Sequence, residues 1–207
     1  TLEEPPPRSL LILISSSEQR QLPTIRSRCQ TVRFRPFATA ELAQLIMSQG
    51  VADSPAEADA LAELANGSLQ RARDLADSEL REFRVRLLQE LPPASWMTLT
   101  LAKDLAKFVE TAGKESAAKR GRFRLLIGFA TDFYQQLLNG LVGAPMAGDK
   151  PLRDAVKAGL RAWPGTAETA AECLDTCLTM ETYLDQNANL NSLAECWLDE
   201  LSDKARV

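Results

Sequence analysis

The residues whose types could do chemistry gather near the start of this 207-residue chain. Residues 15–29 read SSSEQRQLPTIRSRC and close on Ser27-Arg28-Cys29, with Arg26 just before them. Residues 1–36 hold six arginines (8, 20, 26, 28, 33 and 35) against three glutamates (3, 4 and 18), a net charge of +3. The remainder carries 18 basic and 25 acidic residues, net −7. A positive head on an acidic body is suited to meet an anion: phosphate, nucleic acid or an acidic neighbour. Ser15, Ser16 and Ser17 place three hydroxyls at the end of the apolar run 10–14, LLILI. Open α/β sheets bind ligands at that end of their strands.

Other chemistries are excluded or weakened by what the chain lacks. It has no histidine, which removes imidazole acid–base catalysis, serine–histidine–aspartate triads and imidazole metal sites. The four cysteines do not make a metal centre: Cys173 and Cys177 have helical i, i+4 spacing, Cys196 falls on another predicted helix, and Cys29 stands alone. A zinc site needs further ligands. These residues read as small buried hydrophobes in a reducing compartment. No apolar run approaches a membrane span, and no signal peptide is visible. The overall charge of −4 argues against a basic nucleic-acid binder.

The elements that must position the arginines emerge from pattern. Pro5, Pro6 and Pro7 stop whatever precedes them. The continuous run 10–14 reads as a strand buried on both faces. Residues 21–28 form a short helical turn started near Pro23, and 30–35 alternate as a second strand ended by Pro36. From there the periodicity is helical. Leu42, Leu45 and Ile46 share one face, and Gly50 ends that helix. Ser54-Pro55-Ala56-Glu57 has the layout of a capping box. The helix it opens stops at Asn66-Gly67, a left-handed cap, and Ser68 caps a third. Residues 77–79 read as a hinge. Beyond it, Leu80, Phe83, Leu87, Leu88 and Leu91 mark a helix, and Ser95 caps the next. Phe123, Leu126, Ile127, Ala130, Tyr134, Leu137, Leu138 and Leu141 mark the most regular one. Two more helices and a last one, carrying Leu190, Leu193, Ala194, Trp197, Leu198 and Leu201, complete the chain. Trp96, Trp163 and Trp197 read as core or domain-interface residues. Two strands alone do not make a stable sheet. Partner strands are therefore expected upstream, and the start at Thr1 without methionine fits a fragment.

Taken together, TLEEPP, the apolar run ending in hydroxyls, LPTIRSRCQ and a following strand with Pro-Phe resemble the carboxyl part of the AAA+ domain in bacterial clamp-loader subunits of DNA polymerase III. The segment closing on NGSLQRARDL looks like the AAA+ lid. Residues 184–190, LDQNANL, look like the end of the family's helical collar. The resemblance implies a mainly α chain: a remnant of an AAA+ α/β domain with two strands (1–36), a three-helix lid (37–77) and a helical collar for oligomerisation (78–207).

The resemblance also implies site roles. Arg28 matches the arginine of the family's SRC motif, which reaches in trans to ATP held by a neighbouring subunit. Ser15 or Ser16 falls at the sensor-1 position. Gln70 stands where ATP-hydrolysing members carry the sensor-2 arginine, and Arg71 beside it points about 100° away around the helix. The P-loop and Walker B residues are not among these 207, so ATP belongs to a neighbouring subunit and this chain carries no cofactor or metal of its own. The lost sensor-2 arginine leans toward the delta-prime type, a non-catalytic donor of the finger. An ATP-hydrolysing gamma/tau type and a helical scaffold without ATP-linked role stay open. The implied partners are other clamp-loader subunits, met through collar and AAA+ interface, with the sliding clamp and primed DNA reached through the complex in the cytoplasm and no membrane. On spacing alone Arg28 reads as a solvent-facing or salt-bridged arginine; TLEEPP and the hydroxyl-ended run in register favour the finger. Ser15–17 read as a strand-end turn. The cluster Lys119, Arg120, Arg122 and Arg124 reads as a solvated first helical turn rather than a nucleic-acid contact.

Overall fold

The computed structural model describes residues 7–15, 18, 19, 21–92, 98–186 and 188–205. Its helices, in chain order, are α1 (Pro23–Arg26), α2 (Thr39–Ser48), α3 (Pro55–Leu64), α4 (Leu69–Leu75), α5 (Ser78–Glu90), α6 (Thr98–Glu110), α7 (Ser116–Leu141), α8 (Lys150–Ala162), α9 (Ala167–Asp185) and α10 (Leu190–Ala205). They fall in two compact units, Thr1–Phe37 and Ala38–Val207.

In the first unit the two expected strands do not form among the described residues. Leu10, Ile12 and Ile14 are 82, 74 and 96% exposed, and Phe34 is 93% exposed. A strand is made by its ladder, and a continuous apolar run becomes one only where neighbours cover both faces. Neither segment has that cover here, so the two-strand reading is corrected: the described residues up to 36 form a single helical turn with irregular flanks.

The second unit is built as the capping residues dictate. Ser54 Oγ accepts the Glu57 N–H at 3.2 Å and starts α3, while Glu57 Oε2 reaches back to the Asp53 N–H. Asn66 (φ 48°) and Gly67 (φ 78°) make the left-handed turn that frees the chain for α4. Ser68 Oγ then accepts the Arg71 N–H. Asp77, at the junction read as a hinge, is the N-cap of α5. Its Oδ1 accepts the N–H groups of Glu79 and Leu80 and caps α5, while Oδ2 accepts from Arg122 Nη2 at 2.9 Å. A residue committed to three donors pins the α4–α5 junction. The cap expected at Ser95, and Trp96, lie outside the described residues.

Helix α7 organises the rest of this unit. It packs against α5, α6, α8 and α9, and α10 lies against α6 and α9. The expected stripe is buried from Phe123 to Leu137, and so are Phe129 and Phe133, which lie outside it. A helix with neighbours on several sides buries more than one face. Phe123 meets Trp197 edge-on at 5.9 Å. Gly159 of α8 lets α7 approach closely, since a Cβ there would lie 3.1 Å from Phe133 and 3.3 Å from Leu137. Trp163 is half-buried at the end of α8, where its Nε1 donates to the Thr166 carbonyl.

Two polar arrangements cross this apolar core. Arg84 of α5 is 5% exposed. It makes a fork to Asp149, Nη1 to Oδ2 at 2.9 Å and Nη2 to Oδ1 at 2.7 Å. Its guanidinium also lies 5.3 Å from the Phe129 ring centroid. Asp149 is the N-cap residue of α8 yet makes no side-chain cap bond, because its carboxylate belongs to Arg84. The second arrangement is the thiols. Cys173 and Cys177 are buried, whereas Cys196 is exposed, which corrects its reading as a core residue. Burial pushes both core thiols from an ordinary 9.0 up to about 12.

Each arrangement has a measurable consequence. Arg84→Ala leaves Asp149 as an uncompensated, largely buried charge and costs about 3–5 kcal/mol in urea unfolding. Arg84→Met with Asp149→Leu costs far less than either single change. Above pH 9 the thiols of the unfolded chain ionise while those of the folded chain keep their protons. Stability therefore falls as pH rises from 9 toward 12, by about 1.4 kcal/mol per pH unit for each thiol. Unfolding free energies at pH 8 and pH 10 check this, and Cys173→Ala with Cys177→Ala flattens the difference.

Candidate functional site

The candidate residues divide between the two units: Ser15 and Arg28 in the first, Gln70 and Arg71 in the second. Ser16 lies outside the described residues. In the first unit, Pro23 at the first helical position starts α1 with its φ already set. The turn is four residues long and buries nothing. Ser27 Oγ and Arg28 Nη1 both donate to the Thr24 carbonyl, at 3.2 and 2.9 Å. Arg28 is exposed and anchored on the last turn of α1. Arg26 and Arg33 converge on one carboxylate, Glu18, at 3.6 and 2.8 Å. Ser15 Oγ accepts from Gln21 Nε2 at 2.8 Å. A groove of about 680 Å³ is lined by Ser15, Glu18, Arg26, Thr31, Arg33 and Phe34 among others. Chemically this is a cationic, hydrogen-bonding surface. A guanidinium there suits a phosphate oxygen, because it stays charged and donates two parallel bonds.

In the second unit, Gln70 Nε2 donates to Asp74 Oδ1 one turn on, at 3.0 Å. Arg71 turns the other way. It pairs with Asp132 of α7 and lies 5.8 Å from the Phe129 ring centroid. Gln70 and Arg71 are therefore on different faces of α4, and Arg71 is tied to the helix behind it. Arg71 and Arg84 share Phe129, so α4 and α5 are both joined to α7 through one ring.

The basic start of α7 is spent within the chain. Lys119 pairs with Glu110, and Arg122 with Asp77 and Thr111. Arg124 pairs with Asp185. Arg120 donates to the carbonyls of Leu184 and Ala188 at 3.0 and 3.1 Å. This is a set of internal ties rather than the solvated turn expected from the sequence. Among the described residues no group of three or more histidine, cysteine or acidic side chains could hold a metal ion, and no helix is long and apolar enough to cross a membrane.

Sequence reasoning missed Glu18 and the Arg84–Asp149 fork. Glu18 carries no local signal, since its partners are 8 and 15 residues away. Arg84 did carry one: it falls four residues after Leu80 and three before Leu87, inside an apolar stripe.

The basic segment around Arg28 falls within a match to a known family. The family model described as DNA polymerase III, delta subunit, matches residues 1–38, the segment that contains Ser27-Arg28-Cys29. A protein of Pseudomonas aeruginosa is 40% identical over 91 residues, which is 43% of this chain and 27% of the relative. A protein of Bacillus subtilis is 33% identical over 88 residues, 42% of this chain and 26% of the relative. Both bear the name DNA polymerase III subunit delta'. The resemblance is to the delta-prime type. The matched part spans about a quarter of each relative's length. No solved structure matches the chain.

The Arg71–Asp132 tie yields a prediction specific to α4. Arg71→Ala and Asp132→Ala each destabilise the fold, and the double mutant loses less than their sum. The coupling energy from the cycle is about 1 kcal/mol. Additive losses would mean that the pair does not join α4 to α7.

Proposed function

We propose that this chain is a non-catalytic, delta-prime-type subunit of the DNA polymerase III clamp loader. It assembles with ATPase subunits in the cytoplasm and donates Arg28 to ATP held by a neighbour, in the service of sliding-clamp loading on primed DNA. The observation that carries this reading is the family match over residues 1–38, which includes Ser27-Arg28-Cys29 with Arg28 exposed at the end of α1. In this reading residues 37–77 are the lid and 78–207 the collar, and the helices α5–α10 serve assembly. The delta' name of both relatives supports it over the gamma/tau type. So does the intrahelical bond of Gln70 at the position where an ATPase would carry a sensor arginine.

The mechanism asked of Arg28 is charge stabilisation. As a phosphoryl group transfers, negative charge builds on its oxygens. A guanidinium aimed at them stabilises that charge more than the ground state. The Thr24 carbonyl, which accepts from Nη1, limits the rotamers the side chain samples and so reduces the ordering left to be done when phosphate arrives. Ser15 and Ser16 have no such part unless a nucleotide lies beside them. The chain's own hydrogen bond from Gln21 to Ser15 is a local tie.

Arg28→Ala in the assembled complex leaves subunit incorporation unchanged and lowers ATP turnover at the neighbouring site by about 10³-fold. Arg28→Lys keeps the charge but loses the two-pronged contact, and rescues little. Unchanged ATP hydrolysis and clamp loading by the Arg28→Ala complex would sink the finger assignment.

A further inference from the structure

We propose that Glu18 is the positioning residue for Arg28: one carboxylate that clasps the chain on both sides of it. This inference rests on the finger reading of Arg28. A single helical turn cannot hold itself in water. α1 is such a turn, with no buried residue and no side-chain bond at its N-cap, Leu22. Its placement therefore depends on polar ties. Glu18 Oε1 lies 3.6 Å from Arg26 Nη2, and Glu18 Oε2 lies 2.8 Å from Arg33 Nη2. The Glu18 carbonyl also accepts the Gln21 N–H at 3.1 Å, just ahead of α1. Glu18 thus forms ion pairs with a residue two positions before Arg28 and with one five positions after it. Arg28 in turn is fastened to α1 through Thr24. The path from Glu18 to the Arg28 guanidinium is continuous: carboxylate, Arg26, α1, Thr24 carbonyl, Arg28.

The same carboxylate has an electrostatic effect. Arg26 and Arg33 flank Arg28 in sequence, and each is a guanidinium that could draw a phosphate to itself. Glu18 offsets one of these two positive charges, so their joint pull on an incoming phosphate is reduced. The Glu18 side chain is 30% exposed, against 47% for Arg26 and 81% for Arg33. Pairs this exposed add little to global stability. Loss of the clasp therefore shows in turnover and not in folding.

The test uses the subunit assembled with its ATPase partners. In Glu18→Ala, assembly, thermal midpoint and the KM for ATP stay at their wild-type values, while kcat falls about tenfold, as for a misplaced catalytic group. Glu18→Gln behaves like Glu18→Ala, because the ties need the charge, and Glu18→Asp keeps most of the turnover. Wild-type kcat in Glu18→Ala or Glu18→Gln, alongside a large loss in Arg28→Ala, overturns the clasp and leaves the finger standing. Wild-type kcat in Arg28→Ala overturns the finger and the clasp with it.

Discussion

The second unit depends on one ring. Phe129 is buried in α7, and the guanidinium groups of Arg71 and Arg84 both lie against it. Each guanidinium also needs an anion. Asp132, on α7 itself, serves Arg71, and Asp149, at the head of α8, serves Arg84. The apolar contacts set how closely the helices approach, but they would tolerate sliding. The planar fork of Arg84 against Asp149 does not, because its two bonds fix direction as well as distance, while Arg71 adds a single ion pair to Asp132. Four elements, α4, α5, α7 and α8, are brought into register by this arrangement.

The two units are held by opposite means. In Ala38–Val207, helices bury Phe123, Phe133, Tyr134 and Trp197, and Arg84, the charged side chain buried in that core, is paired. In Thr1–Phe37, the large apolar side chains of residues 10–14 are half or more exposed, and the ties around α1 are ion pairs and hydrogen bonds. A segment of the second kind is held by its own polar ties, with little apolar burial behind them. That suits a short run whose proposed role is to present one arginine to another molecule.

Much of the second unit was legible in the sequence because helix boundaries are written in local chemistry. Ser54, Ser68 and Asn66-Gly67 act where their side chains and φ preferences say they should. The α7 stripe was legible for the same reason. Phe129 and Phe133 were not, because periodicity marks one face and says nothing of how many neighbours a helix has. The capping role of Asp77 was not legible, because a capping aspartate and a loop aspartate look alike until Arg122 arrives from 45 residues away. The run 10–14 misled in another way: a strand is a property of a pair of segments, and composition describes only one. The candidate site was legible as a motif around Arg28, while Glu18 was not, since nothing in the order of residues says which carboxylate two distant arginines will share.

The internal pairing of the α7 cations has a consequence for how this unit meets other charged bodies. Lys119, Arg122 and Arg124 are paired with carboxylates of the same chain, and the Arg120 guanidinium is engaged by two of its carbonyls. A polyanion gains affinity from protein cations mainly by shedding its condensed counterions. Side chains already paired or hydrogen-bonded within their own protein are less available to release them. What a distant ion senses is then the surplus of acidic residues over basic ones beyond residue 36. Four basic residues within six positions thus contribute to cohesion, and the unit presents a weakly anionic exterior to the electrolyte around it.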